Sequence, residues 1–461
     1  MSGIIRYGSY VPFFRLDRKA ARIGRGGERA VASYDEDSAS MAVEASREAL
    51  RGWDGDVDTM LFATTSPGYA EKLNAATVHA ACNLPAGVTS IDVGGSSRGG
   101  FSALLTAFDM AAGGRTVLVC AGDVVVGAPS GPRETAGGDA ASAFIVGPGD
   151  AGVQLIGRAS ATEEMLDVWK SEGMQFAKQW EERFGAEVYL PLIQGAFVRA
   201  LEGAGIEAAE LATVVLDGNN ARALRTFAGK SGLGDRVADD LSARVGRSGV
   251  AHAGLLLANV LDAALPGQRI AVVSAADGVD VAILEVTAEI AKTRPQRTVE
   301  RWLESKRADL PYQSYLKWRG ILPFEPPRRP DPDRPAAPPM MRSEKWKYGF
   351  VASRCTSCGG AHLPPQRVCV LCGDVDKMEP EPYADAQCKI ATYTIDRLAY
   401  SLQPPVIAAV VDYDPGGRFS CELTDVDAEK VGIGDELEMT FRRMFTAGGV
   451  HNYFWKARPQ R

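Results

Sequence analysis

The chain has 461 residues, 46% hydrophobic and 24% charged, the composition of a folded globular protein too long for one ordinary core. A formal net charge of -7 argues against general nucleic-acid binding, which depends on clustered Lys and Arg displacing counterions from phosphates. No apolar run approaches the ~20 residues that span a bilayer. The N-terminal MSGIIRYGSYVPFFRLDRK lacks the apolar stretch of a signal peptide, so a cytoplasmic protein with no membrane association is expected.

Up to residue 290 the chain is rich in Ala, Gly and Val, and strand-length apolar runs alternate with helical segments, the pattern of a helix-covered α/β sheet. The clearest predicted strands are TMLFATT, RTVLVCAGD, SAFIVG, ATVVLDG and RIAVVSA. An internal repeat is visible. SREALRGWDGDVDTMLFATTS has the helix, acidic loop and strand layout of VRALEGAGIEAAELATVVLDG, and RTVLVCAGD with GGDAASAFIVG matches RIAVVSA with DGVDVAILEV. The two copies predict halves at 1–150 and 151–290. Near the N-terminus, GRGGERAVASYDED reads as a flexible charged loop whose Arg25 and Arg29 are candidates for binding the phosphates of a substrate.

From 291 to 349 a connector is predicted: one or two short helices anchored by Trp302, Tyr315 and Trp318, then LPFEPPRRPDPDRPAAPPMM, too proline-rich for a helix and expected to be extended. Residues 350–380 carry four of the eight cysteines. After them, in 381–461, KIATYTID, VIAAVVDYD, RFSCELT and ELEMTFRRM are separated by turn signals, as in a small antiparallel barrel. Cys82, Cys120, Cys388 and Cys421 stand alone in apolar contexts and are expected to be buried.

Cys355 and Cys358, then Cys369 and Cys372, form two matched CxxC knuckles, each followed by Gly. Such turns aim two thiolates at one ion, and four sulfurs leave Zn²⁺ no open position, so the site is structural, with iron as its chemical rival. His362, between the knuckles, is expected at the surface rather than as a ligand.

RCTSCGGAHLPPQRVCVLCG, ATYTIDR, QPPVIAAVVDYDPGGR and ELTDVDAEKVGIGDELEMTFRR resemble the rubredoxin-like zinc ribbon plus OB-fold proteins that accompany thiolases and HMG-CoA synthases. That resemblance implies docking to a thiolase-type subunit and a path for acyl-CoA. IDVGGSSRGGFSALLTA, CAGDVVVG, GGDAASAFIVG, LDVWKSEG, VVLDGNNARAL and VSAADGVDVAILEV resemble the thiolase superfamily, its HMG-CoA synthase and ketoacyl synthase III branch. Asp167, Trp169 and Glu172 favour the HMG-CoA synthase side. The implied fold is a pseudo-duplicated, five-layered α/β domain, usually dimeric.

The same resemblance places a Cys nucleophile, a His, an Asn and a Glu where this chain has Ser97, Asp217, Arg247 and Thr65. A serine hydroxyl is far less acidic than a thiol and needs a strong base beside it. Two readings follow. In one, the pocket performs Claisen or aldol-type chemistry on an acyl-CoA without the Cys. Asp217 is then the general base, Ser97 and backbone N–H groups near Gly99 and Gly278 hold the thioester oxygen, and His252 is a substitute acid or base. In the other, the chain is a silent subunit supporting an active thiolase partner while its OB-fold presents acyl-CoA. A homodimer or such a hetero-oligomer is expected. Asp217 has the further reading of a structural carboxylate paired with Arg247 or Arg222.

Overall fold

The run TMLFATT becomes the strand Thr59–Ala63, all five residues buried, and its continuous apolar character is what a parallel strand covered on both faces requires. In the computed structural model, which describes residues 2–325, 327–328, 330 and 332–461, this strand belongs to the first of two units. The first unit runs to Ala32 and adds Asp37–Ala76 and Pro85–Tyr312; the second comprises Ser33–Glu36, Thr77–Leu84 and Gln313–Arg461. The stretch 291–349, expected as a connector, is thus divided between them.

The first unit is built on a nine-stranded sheet in the order Leu211–Gly218, Arg269–Ala275, Gly278–Val286, Val153–Thr162, Ser2–Tyr10, Ala140–Pro148, Val117–Asp123, Thr59–Ala63 and Thr89–Val93. Outward from the short link between Ser2–Tyr10 and Val153–Thr162, both halves pair antiparallel, antiparallel, then parallel. The internal repeat is therefore a repeat of topology. The helix Ser38–Leu50 covers one half and Glu182–Ala204 the other, while Gly99–Ala112 and His252–Leu261 lie between, touching strands of both. The result is a pseudo-duplicated α/β core with helices packed on both halves and between them.

Ser2–Tyr10 and Val153–Thr162 were not predicted. The second, VQLIGRASAT, is half polar and lacks a buried face of large side chains. The stretch expected as a flexible loop is ordered: Glu28–Val31 pairs with Phe14–Asp17, and Asp37 caps the helix Ser38–Leu50 in a reciprocal box with Ser40. Its buried charges have partners, Arg29 beside Asp139 and Asp35 beside Lys456, so composition alone misread it. The Pro-rich stretch holds a short helix after all, Ala337–Arg342, with Pro in the first turn, where a missing N–H costs nothing. Pro326, Arg329 and Asp331 of that stretch lie outside the described residues. Trp302 and Tyr315 are fully buried and Trp318 nearly so.

The second unit contains a three-stranded ribbon sheet, with Val351–Cys355 between Ala361–His362 and Met378–Pro382, and a five-stranded antiparallel sheet. That sheet runs Arg418–Glu422, Val406–Tyr413, Cys388–Asp396, Glu436–Ala447 and Val450–Pro459. A bridge from Leu423 to Ala457 brings its two edges together, as in an OB-type barrel. The last strand, VHNYFWKARP, was missed because its basic residues hide its alternation. Lys456 and Arg458 are in fact buried, Lys456 at 3.0 Å from Asp35 and Arg458 at 2.8 Å from Glu438. Phe350 packs among Trp346, Phe419, Phe454 and Trp455 beside the barrel.

Candidate active site and zinc centre

The turn between the strand Thr89–Val93 and the helix Gly99–Ala112 carries Ser97. Gly100 permits the helix to start there, since a Cβ on it would meet the Val250 carbonyl oxygen at 2.1 Å. Arg98 fixes the same turn through an ion pair to Asp280 at 3.3 Å. Ser97 Oγ donates to Asn219 Oδ1 at 3.0 Å, reaching the turn that follows Leu211–Gly218.

Ser97 and Asn219 lie in the wall of a cavity of about 570 Å³ within the first unit, together with Arg133, Trp180, Asp240 and Arg247. That volume is in the range of small-molecule sites. No cysteine lines it. The hairpin Val168–Trp169 with Lys178–Gln179 borders it, and Trp180 packs against Trp169. Burial pushes the Asp240 carboxyl up, but hydrogen bonds from Ser242, with His252 and Arg247 nearby, outweigh this and hold it below the usual carboxylate range.

The structure separates the sequence candidates. Asp217 is buried and accepts from Ser274 Oγ at 3.5 Å; it is not among the residues lining the cavity. No ion pair joins it to Arg247 or Arg222 among the described residues. Arg247 Nη1 donates instead to the Gly218 carbonyl, and Arg222 is exposed. His252 starts its helix as expected but is buried behind the wall, its Nδ1 3.3 Å from Ser248 Oγ. Burial lowers its pKa; Asp217 and Asp240 partly offset this, and Arg247 adds to it. Gly99 donates its N–H to the Ser96 carbonyl, so that group is not free to hold an oxyanion. Gly278, with φ of +119°, serves a tight hairpin where a Cβ would meet the Ala161 carbonyl oxygen at 2.2 Å.

Thr65 is fastened to Asp123, donating its N–H and Oγ1, each at 2.7 Å. Asp123 also accepts from Thr64, Ser66 and the Val250 N–H, so this carboxylate organises the turn where the resemblance places a Glu. Arg29 is fully buried, donating to the Glu134 and Val125 carbonyls and lying 3.7 Å from Asp139. It cannot meet a phosphate in solvent, whereas Arg25 is exposed. Asn219, Arg133 and Asp240 were missed. Asn219 was signalled by its place two residues after Asp217, and the other two had no local motif.

In the second unit the Sγ atoms of Cys355, Cys358, Cys369 and Cys372 lie within 4.8 Å of one another. Gly359 and Gly373, after each knuckle, have φ of +75° and +82°. Backbone N–H groups donate to the sulfurs: Gly360 to Cys358, Asp374 to Cys372, and Cys372 and Leu371 to Cys369. Those donors, led by the Cys372 N–H and joined by His362, pull the Cys369 thiol down to about 5 against its burial. Four converging thiols, with Cys369 already acidified, suit Zn²⁺ and close its shell. His362 is buried rather than at the surface, its Nε2 3.4 Å from Cys369 Sγ, where it supports a ligand without being one.

The comparisons agree with this division. A family model described as the ChsH2 rubredoxin-like zinc ribbon domain matches residues 347–379, and one described as the ChsH2 C-terminal OB-fold domain matches 384–442. The hydroxymethylglutaryl-CoA synthase of Methanopyrus kandleri is 28% identical over 346 residues, 70% of this chain and 98% of the relative. That of Methanocella arvoryzae is 28% identical over 347 residues, 69% and 98%. Among solved structures, an HMG-CoA synthase complexed with CoA superposes with a TM-score of 0.60 at 18% identity, covering 68% of this chain and 89% of its own. The 3-oxoacyl-[acyl-carrier-protein] synthase III of Aquifex aeolicus gives 0.55 at 20% identity, 62% and 100%. Residues 347–379 and 384–442 thus match a zinc ribbon and an OB-fold of the ChsH2 kind, while the chain is similar to hydroxymethylglutaryl-CoA synthases over 70% of its length and shares the fold of the thiolase-like synthases.

Proposed function

We propose that the first unit binds a CoA thioester in the 570 Å³ cavity and makes or breaks a carbon–carbon bond beside the thioester carbonyl, without forming an acyl-enzyme. The observation that supports this most is the Ser97–Asn219 pair in the wall of a thioester-sized cavity that contains no thiol. Read in the retro-aldol direction, a β-hydroxyl gives its proton to a carboxylate, the Cα–Cβ bond breaks, and its electrons move to the thioester oxygen as an enolate. The Asn219 amide N–H is the neutral donor offered to that oxygen, its Oδ1 being fixed by the Ser97 hydroxyl. Asp240, in the cavity wall with its carboxyl held below the usual range, takes the role in this scheme expected of Asp217.

The test is turnover of a panel of β-hydroxyacyl-CoA and acyl-CoA substrates by the purified chain, followed by chromatography of the CoA products. Asp240→Asn is expected to lower kcat by about 100-fold or more, while Asp217→Asn leaves most of it. Equal loss in both variants would return the base role to Asp217.

A second reading, a silent subunit paired with an active thiolase, is favoured by the edge strand Thr89–Val93. It closes one end of the nine-stranded sheet, and Ile91 on it is 40% exposed. A free edge beside the Ser97 turn suits pairing with another thiolase-like chain or a second copy. Absence of turnover alone, with activity restored by a copurifying thiolase-type protein, would select this reading.

A further inference from the structure

We propose that Tyr189 is a positioning residue for the cavity: its phenol oxygen, behind the wall, fastens the hairpin that ends at Trp180 to the turns that carry Ser97 and Asn219. The three elements then keep one spacing around the ligand. This deepens the reading of the cavity as a CoA-thioester site and rests on it.

Tyr189 lies in the second turn of the helix Glu182–Ala204 and is fully buried; it is not among the residues lining the cavity. Its hydroxyl donates to Asp167 Oδ2 at 2.7 Å and accepts from the Asp277 N–H at 3.1 Å. Each partner leads to a cavity element. The Asp167 carbonyl accepts from the Trp180 N–H at 2.9 Å, which extends the pairing of Val168–Trp169 with Lys178–Gln179 by one residue and holds Trp180 in the wall. Asp277 stands in the turn between Arg269–Ala275 and Gly278–Val286. In that turn the Ala275 carbonyl accepts from the Asn219 N–H at 3.0 Å, and the Asp277 carbonyl accepts from Nη2 of Arg98, the neighbour of Ser97, at 3.2 Å. One oxygen atom thus joins all three elements.

Both partners depend on that oxygen. Asp167 is buried, and a buried carboxylate left without a donor is costly. Asp277 has a φ of +50°, a left-handed conformation that residues with a side chain seldom adopt, so its turn needs support from outside. Burial, and then the Asp167 charge, push the Tyr189 hydroxyl up, so it keeps its proton and its role as donor. The ring belongs to the apolar core that includes Ile193 and Val279, a place a phenylalanine would fill equally well. The joining role is therefore the hydroxyl's alone.

The probe is butyryl-CoA, and the measurements are calorimetric binding and amide hydrogen exchange by mass spectrometry, both on the full-length chain. Tyr189→Phe is expected to speed exchange at the Trp180 and Asp277 amides about 10- to 100-fold, with the strand Ser2–Tyr10 unchanged, and to weaken butyryl-CoA about 10-fold. Asp167→Asn keeps an acceptor for the phenol and should retain most of both properties. Faster exchange spread evenly over the first unit would overturn the proposal, because it would mean a general loss of stability. So would butyryl-CoA bound by Tyr189→Phe as tightly as by the unsubstituted chain. If the unsubstituted chain binds no butyryl-CoA, the thioester reading fails and the positioning role with it. If it binds, and exchange at Trp180 and Asp277 is the same in Tyr189→Phe, the positioning role alone fails.

Discussion

Ser97 Oγ and Asn219 Oδ1 are 3.0 Å apart, so the turn that opens the helix Gly99–Ala112 in the first half of the repeat is joined to the turn after Leu211–Gly218 in the second. In a thiolase fold this is the place for a nucleophile and its base. Here a hydroxyl meets an amide, and an amide accepts no proton at neutral pH. Ser97 therefore has no base of its own, which argues against covalent acyl transfer.

Restoring the thiol should not restore that chemistry. Ser97→Cys is expected to show no acyl adduct by intact-mass analysis after incubation with acetyl-CoA, because Asp217 is turned to Ser274 and Arg247 to the Gly218 carbonyl. A stoichiometric adduct would show that the surrounding groups still activate a nucleophile.

Metal removal should act on the second unit. Chelation, or Cys369→Ser, is expected to release about one zinc per chain and to unfold the ribbon sheet, since binding of a structural zinc is coupled to folding. The first unit should keep its own unfolding transition. Calorimetric scans with and without chelator check this; loss of both transitions together would contradict it.

Acid should weaken the second unit through Asp35. Burial raises its pKa, but Lys456 and Arg442 outweigh that and bring it down to about 2. A lowered carboxyl contributes stability that is present above its unfolded value of about 3.9 and is lost as the pH falls toward 2. Asp35→Asn should cost about 3 kcal/mol at pH 7, because it leaves Lys456 buried with one counterion fewer. Denaturant titrations at pH 7 and pH 3 test both parts, and the penalty of the variant should shrink at the lower pH.

Asp262 should do the reverse in the first unit. It accepts from Tyr7 Oη at 2.9 Å and the Val299 N–H at 2.7 Å, yet burial raises its pKa to about 6. A raised carboxyl contributes fully below about pH 3.9, and its contribution is lost as the pH rises through 6. Asp262→Asn should therefore gain about 1–2 kcal/mol on the wild type between pH 4.5 and pH 7.5. Urea midpoints of the first transition at those two values check it, and an unchanged difference would contradict the assignment.

The zinc centre was legible because its ligands are close in sequence and its glycines mark the turns. The repeat was legible because buried parallel strands read as unbroken apolar runs. The cavity was legible only in part. Ser97 was found from its strand-to-helix turn, but Asp217 lies at a strand end whose last side chains can face either the cavity or the layer behind it. Sequence does not record which. Arg29 and His362 were placed at the surface because they are polar, yet each is buried against specific partners. The strand Val450–Pro459 was hidden for the same reason, since its cations are neutralised by Asp35, Glu422 and Glu438, which are far away in sequence.

The most direct test of the central claim is a single-turnover experiment with a β-hydroxyacyl-CoA labelled on both sides of the Cα–Cβ bond, quenched and analysed for small products and for protein mass together. Cleavage between the labelled carbons, with the protein mass unchanged throughout and the rate sharply reduced in Asp240→Asn, is the predicted result. A covalent acyl-protein on the path to product would contradict it, as would a bound substrate that the chain never cleaves.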